Sequence, residues 1–384
     1  MKGKFPIDKF KDLKTPFYYY NTELLRETLQ VVKAEAAKYN YQIHYAIKSN
    51  FNPRILSIIR ENGLGADCVS GGEIQAALDA GFPANTIVFA GVGKADWEIN
   101  LALDNDIFCF NVESIPELGI INELAGLKGK IARVALRLNP EVNAHTHKHI
   151  TTGLKENKFG INLDQLDQVL DRLDSLHSVK LTGIHFHIGS QITDLEAFQA
   201  LCSRVAEIQQ KLAKRKIIVE HINFGGGLGI DYAHPNRNAI PDFEEYFRIF
   251  HKHFPAYPDQ TIHFEPGRSI VGQCGSLISR VLYVKEGSVK KFVILDAGFT
   301  ELIRPVLYSA HHKIENISSE EAMETYDVVG PVCESADCFA KEIDLNKAHR
   351  GDFFAIRSAG AYGEVMASQY NSRQLAKSYF SDLL

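Results

Sequence analysis

Lys48 closes the run IHYAIKSN (43–50), where alternating apolar residues give way to a small polar break. An ammonium at the end of an apolar strand must reach water or a partner. At the mouth of a pocket it can also act as an amine nucleophile toward a carbonyl. Asp67 stands near the end of the next strand-like run, LGADCVS (64–70), and His185 and His187 close a later one, LTGIHFH (181–187). GGGLG (225–229) and EPGR (265–268) follow the last two such runs. Gly226 and Gly227 within the first loop offer unshielded backbone N–H groups, and Gly267 with Arg268 adds another beside a guanidinium, a combination suited to phosphate. A phosphate with a lysine opposite suggests pyridoxal 5'-phosphate, whose aldehyde needs a Schiff-base lysine. Glu265 sharpens this. A carboxylate facing the pyridine nitrogen keeps it protonated, so the ring can accept the electrons left when a bond to Cα breaks. An arginine there would weaken that sink and suit a racemase better than a decarboxylase.

Each feature alone has an ordinary explanation. A strand-end lysine usually snorkels, glycine triplets serve many turns, and a lone Cys333 would more often fill a core than react. HFH also begins the metal site of barrel hydrolases, and HTHKHI (145–150) offers His145, His147 and His149 at alternate positions. That tract has no obvious acidic or thiolate partner in sequence and reads as loop variation, so no metal is expected. The conjunction at successive strand ends carries the reading.

Those ends need a scaffold. A helix is expected after Asn21, a plausible N-cap, with Leu25, Leu29, Val32 and Ala36 at helical spacing. Short β-rich runs then recur at 43–48, 64–70, 86–90, 107–112, 131–138, 181–187, 217–224 and 261–265, and most gaps hold a helical pattern. Such alternation implies parallel βα units. The fold class is therefore α/β, a (β/α)8 TIM barrel whose catalytic groups sit at the strand ends. A doubly wound open sheet is the fallback, although no GxGxxG opens the first unit. From about residue 270 strand-like runs follow one another without long helices, as in SLISRVLYVKEG, VKKFVILDAG, TYDVVGP and DFFAIRSAG, predicting a second, β-rich C-terminal domain. The expected division is a barrel over 22–268, with 1–21 plus 269–384 forming the β-rich domain that completes the active site and dimer. NISSEEAMETY (316–326) and AHPNRNAIPD (233–242) read as exposed loops.

With 384 residues, 45% of them hydrophobic and 23% charged, the chain is long enough for two to three domains of ordinary globular balance. A formal charge of −5 argues against nucleic-acid binding, and the one basic cluster, KLAKRK (211–216), suits a helix C-terminus. MKGKFPIDKF contains no apolar core of a signal sequence, and no apolar stretch approaches a membrane span. Six cysteines without a CxxC pair fit reduced thiols in the cytoplasm.

The segments YAIKSN, GIHFHIGSQI, NFGGGLGIDY, EPGRSIVG, LIRPVLY, GPVCESADCFAKE and GAYGEVMASQYNSR, with RLNPEVNAHTHKHITTGLKENKFGI (137–161), resemble the diaminopimelate decarboxylase family over nearly the whole chain and in order. The resemblance implies an alanine-racemase-like fold, shared with ornithine and arginine decarboxylases, and release of CO2 from meso-2,6-diaminopimelate to give L-lysine. It implies Lys48 as the Schiff-base lysine, His187 stacked on the cofactor and Glu265 on its pyridine nitrogen. Ser190, Gly227, Gly267, Arg268 and Tyr362 would hold the phosphate or its surroundings. Arg268, Arg304, Tyr308, Glu334 and Tyr362 match substrate-holding positions, and Cys333 matches the proton donor. In such enzymes CES reaches across a homodimer interface, so each active site is shared between two chains. Ornithine enzymes carry an aspartate after the corresponding cysteine, whereas Glu334 stands here. Ala336 replaces a common glycine and Gln374 a common proline, which touches local backbone shape. A sister decarboxylase for ornithine, arginine or carboxynorspermidine, a metal-dependent hydrolase using HFH, and a noncatalytic cofactor-binding protein remain the alternatives.

Overall fold

The computed structural model describes residues 5–142 and 158–384; His145, His147 and His149 lie outside the described residues. After strand β1 (Phe17–Tyr20) come β2 (Gln42–Ala46), β3 (Gly65–Cys68), β4 (Ile87–Phe89), β5 (Cys109–Val112), β6 (Ala132–Arg137), β7 (Val179–His185), β8 (His221–Asn223) and β9 (Thr261–Phe264). Strands β2 to β9 are all parallel and form a closed barrel. It is sealed where Gln42 and Ile43 of β2 pair with His263 and Phe264 of β9. Every one of the eight expected runs supplies a strand, most of them shorter than expected. The run expected to close on both histidines ends at His185, leaving His187 in the following loop.

Several helices begin where the sequence places acceptors. Asn21 Oδ1 accepts the Leu24 N–H at 3.0 Å, and Leu25, Leu29, Val32 and Ala36 of helix Thr22–Ala37 are buried. Ser70, Ser114 and Asp242 each accept an N–H three residues on, which caps helices Gly71–Asp79, Ile115–Leu127 and Phe243–His253. Helix Glu196–Lys214 ends in the basic cluster, whose Lys211 and Arg215 pair with Asp167.

At the N-terminal end of the barrel a layer of histidines replaces aliphatic packing. The Thr261 hydroxyl donates to His263 Nε2 at 2.8 Å, His263 Nδ1–H to His44 Nε2 at 2.8 Å, and His44 Nδ1–H to the Thr86 carbonyl at 3.0 Å. The donors run in this direction when both rings are neutral, the state that their burial favours. Burial lowers the pKa of His44 and His263 and pushes His221, beside them, down to about 3. A Cβ on Gly183 would lie 2.2 Å from the His221 ring, so only glycine fits there. The sign of the resulting pH effect follows directly. Below the ordinary histidine value of 6.5 the unfolded chain binds protons that the folded barrel refuses, so stability falls as pH drops from about 6.5 toward 3. His221→Gln should flatten that slope by up to one proton, about 1.4 kcal/mol per pH unit. Denaturant titrations between pH 4 and 7 measure this, and an unchanged slope would remove His221 from the account.

By density of internal packing the chain divides into two units. One is Leu29–Gly229 with Asp242–Gly267, which carries the barrel; the other is the chain up to Thr28, Ile230–Pro241 and Arg268–Leu384. The second unit contains β1 and the strands β10 (Gly275–Glu286), β11 (Lys291–Leu295), β12 (Ile314–Asn316), β13 (Met323–Val329), β14 (Cys338–Asn346), β15 (Phe353–Ile356) and β16 (Lys377–Phe380). Its sheet runs β12-β15-β10-β11-β13-β14, with β1 antiparallel to β10 and parallel to β16. Phe10, Phe17, Tyr19, Ile278 and Phe353 pack its core. Two expected loops are more ordered than their composition suggests. Residues 316–326 contribute the ends of β12 and β13, because pairing with β15 and β14 overrides their polar character. In 233–242, Asp231 ties down Ala233, His234 and Asn238.

Candidate active site

In the barrel unit, chemistry gathers at the C-terminal strand ends. Lys48 sits in the single turn Ile47–Ser49 directly after β2. Ser49 Oγ donates to the Ala46 carbonyl at 2.7 Å, and the Tyr45 hydroxyl donates to the Asn50 carbonyl at 2.9 Å, which pins both flanks of the turn. The lysine side chain keeps 37% exposure, and its Nζ lies 3.5 Å from Asp67 Oδ2 on β3. Asp67 is 1% exposed, and among the described residues neither of its carboxylate oxygens has a hydrogen-bond partner. Burial, then repulsion from Glu265, push its pKa up to about 6 against the pull of Lys48 and His185.

Glu265, just past β9, is buried in a fully polar nest. Its Oε2 accepts from His185 Nε2 at 2.8 Å, and its Oε1 accepts from Asn223 at 2.7 Å and Asn111 at 3.2 Å. Burial raises its pKa, but His185 first, then Lys48, hold it well below the usual carboxylate range. A carboxylate has about four acceptor positions, and these described donors take three of them. His187 Nδ1 accepts the Gly226 N–H at 3.3 Å. Burial and then the charges of Lys48 and Arg137 push this ring well below the ordinary histidine range, leaving it uncharged.

The loops after β7, β8 and β9 are stitched backbone to backbone. Ile192 N–H donates to the Gly227 carbonyl at 2.9 Å, and Glu265 N–H to the Gly225 carbonyl at 2.8 Å. A side chain on Gly226 would meet the Glu265 carbonyl at 2.2 Å, and Gly227, at φ +115°, approaches the Gly189 carbonyl. The glycines therefore let three loops close up, with Ser190 half-buried in the first of them. Gly267 packs against Ser49 and Ala46.

The second unit holds a cationic group of its own. Arg268 Nη1 donates to the Tyr232 hydroxyl at 2.5 Å, and its guanidinium lies 4.9 Å from the centre of the Tyr362 ring. Arg304, the first residue of helix Arg304–Tyr308, lies 4.9 Å from the Tyr232 ring and donates from Nη1 to His312 Nε2 at 2.8 Å. It is 5% exposed. Tyr308 is half-buried at the end of the same helix. Cys333 is exposed, its N–H bonded to Asn371 Oδ1 at 3.1 Å, and Glu334 accepts from the Tyr370 hydroxyl at 2.7 Å. Ala336 is not among the residues with positive φ, so its turn does not need the glycine.

Sequence reasoning overlooked Asn111, Asn223, Tyr232 and His312. Asn111 and Asn223 are legible by the strand-end rule, since each lies at or next to a barrel strand's last residue; Tyr232 and His312 lie in loops with no periodicity to mark them. Among the described residues no group of three or more His, Cys, Asp or Glu is placed to hold a metal. His185 and His187 are turned to Glu265 and Gly226 instead.

A family model described as "Pyridoxal-dependent decarboxylase, pyridoxal binding domain" matches residues 23–272. Barrel and strand-end chemistry thus define a pyridoxal 5'-phosphate-dependent decarboxylase with the alanine-racemase-like architecture. The residues fit that cofactor: an amine beside a buried carboxylate with unfilled oxygens, a stabilised anion for a protonated ring nitrogen, and a glycine loop for phosphate. The chain is 66% identical, over the full length of both, to a diaminopimelate decarboxylase of Bacteroides thetaiotaomicron. It is also similar to the crystal structure of diaminopimelate decarboxylase from Helicobacter pylori complexed with L-lysine, with 41% identity, a TM-score of 0.92 and coverage of 97% and 93% of the two chains. A lysine/ornithine decarboxylase from Vibrio vulnificus shares the fold at 20% identity, a TM-score of 0.85 and coverage of 98% and 97%. The chain belongs to the diaminopimelate decarboxylase family.

Proposed function

We propose that this enzyme removes one carboxyl group from meso-2,6-diaminopimelate, giving L-lysine and CO2 in the last step of lysine biosynthesis. The observation that carries the substrate choice is Arg304. A guanidinium buried to this degree normally has an anionic partner. Among the described residues its partners are a neutral imidazole and a tyrosine, with no carboxylate. A ligand carboxylate answers that charge, and the planar fork binds two oxygens at once. Diaminopimelate brings a second carboxylate where ornithine brings only an amine.

Bound pyridoxal phosphate supplies an electron sink, a protonated ring conjugated to the substrate α-carbon. The chain's own residues do the rest. Lys48 would hold the cofactor through its amine, and Asp67, 3.5 Å away, would favour the charged form of that amine. The anionic Glu265 would keep the cofactor's ring nitrogen protonated, and the uncharged His187 would help hold the ring without competing for that proton. Gly226, Gly227, Ser190, Gly267, Arg268 and Tyr362 hold the phosphate and its surroundings. Arg304, with Arg268, Tyr308 and Tyr362, orients the substrate, and Glu334 accepts from its distal ammonium. The Cys333 thiol gives the proton that replaces the lost carboxyl group on Cα.

Cys333 and Glu334 are assigned to the site of a partner chain in a homodimer, a role supported by the exposure of their segment. Residues 22–268 are assigned to holding the cofactor, and 1–21 with 269–384 to completing the site and dimer. All six cysteines are free, which supports a reducing, cytoplasmic setting. No helix among the described residues is long and apolar enough to cross a membrane.

The test is CO2 release from meso-diaminopimelate with pyridoxal phosphate added and withheld; release only with the cofactor supports the reading, and no release with it refutes the reading. Arg304→Gln should lower kcat/KM for meso-diaminopimelate about 10- to 100-fold and far less for D-lysine, which lacks the distal carboxylate. Equal losses on both substrates would strip Arg304 of this role.

A further inference from the structure

His312 is buried, and both ring nitrogens are committed. Nδ1–H donates to the Arg357 carbonyl at 2.8 Å, which fixes the tautomer, and Nε2 accepts from Arg304 Nη1 at 2.8 Å. The carbonyl that anchors the ring is itself well held. Arg357 N–H donates to the Lys313 carbonyl at 2.8 Å, and its side chain pairs with Glu315 at 2.7 Å and Asn236 at 2.8 Å. The edge of the His312 ring also meets the Tyr232 ring, with centroids 5.0 Å apart and planes at 77°. Tyr232 in turn contacts both Arg268 and Arg304.

An arginine is a poor recognition group unless its plane is set, because four rotatable bonds precede a fork that needs one orientation to take two oxygens. A helix of five residues fixes only the backbone of Arg304. We infer that His312 is a positioning residue that aims the Arg304 guanidinium and thereby sets the preference for substrates with a second carboxylate; this rests on the reading of Arg304 given above. The contact requires Nε2 to be free of a proton, since an imidazolium would present an N–H to a cation. Burial, then the charge of Arg304, push the His312 pKa down to about 3, so the ring stays an acceptor through the neutral range. An asparagine or glutamine could do the same work with an amide oxygen toward Arg304 and an amide N–H toward Arg357. A phenylalanine could fill the space but not the role.

The experiment compares wild type, His312→Phe and His312→Gln, each loaded with pyridoxal phosphate, on meso-diaminopimelate and D-lysine. For His312→Phe the ratio of the two kcat/KM values should fall about tenfold, the size expected for one hydrogen bond to a charged group. The loss should lie mainly in KM for meso-diaminopimelate, and the weaker binding should recur for L-lysine, which keeps the distal carboxylate, as product inhibitor. His312→Gln should recover most of the ratio, which a role in folding alone would not produce. An unchanged ratio in His312→Phe, equal losses on both substrates, or a glutamine variant no better than the phenylalanine variant would overturn the inference. A wild-type enzyme that does not discriminate between the two substrates would instead overturn the reading of Arg304.

Discussion

Replacing Lys48 with alanine should lower turnover of meso-diaminopimelate by at least about 1000-fold and remove the yellow absorbance of the bound cofactor. The barrel should survive the change. Lys48 is only half-buried, and the turn that carries it is held by Ser49 and Tyr45 rather than by its own side chain. The loss would therefore be chemical. A second consequence separates it from misfolding: without the lysine, Asp67 loses an attraction that opposes its burial, so its carboxyl should bind a proton at still higher pH than about 6. Thermal melts near the wild-type value, with colour and turnover both gone, are the expected combination. Retained colour with retained turnover would assign the amine elsewhere.

Glu265→Gln is expected to cost on the order of 100- to 1000-fold in kcat, comparable to removing a preorganised electrostatic contact from a water-poor site. The amide keeps the shape and an oxygen for Asn223 and Asn111, yet it removes the charge that holds a proton on the ring nitrogen. Because His185 and Lys48 hold Glu265 well below the ordinary carboxylate range, wild-type activity should show no acidic limb from this residue between pH 5 and 8. The variant's deficit should persist across that same range. Steady-state rates from pH 5 to 8 check both statements, and a rate within a few-fold of wild type would free Glu265 from its assigned role.

The barrel was legible because its strands are local events. Each of the eight runs is short and β-rich, most are separated from the next by a helical pattern, and each supplied a strand. Their ends named Lys48, Asp67 and Glu265 directly, since in this fold the residue after a strand faces the reacting end. The β-rich unit was less legible. CFAKEIDLN (338–346) carries three charges and lacks a clean alternation, and it becomes β14 only through pairing with β13. FYYY and KSYF lie some 360 residues apart and are parallel neighbours in one sheet, a pairing no local pattern announces. The same holds for the arginine group. Arg268 and Arg304 stand in conspicuous motifs, whereas Tyr232 and His312, which hold them, belong to loops whose shape depends on distant backbone.

Hydride reduction of the enzyme loaded with pyridoxal phosphate, followed by peptide mass spectrometry, tests the central claim most directly. The account predicts one covalent pyridoxyl adduct per chain, on the peptide containing IHYAIKSN and at Lys48. An adduct on a different lysine, or none, would contradict it.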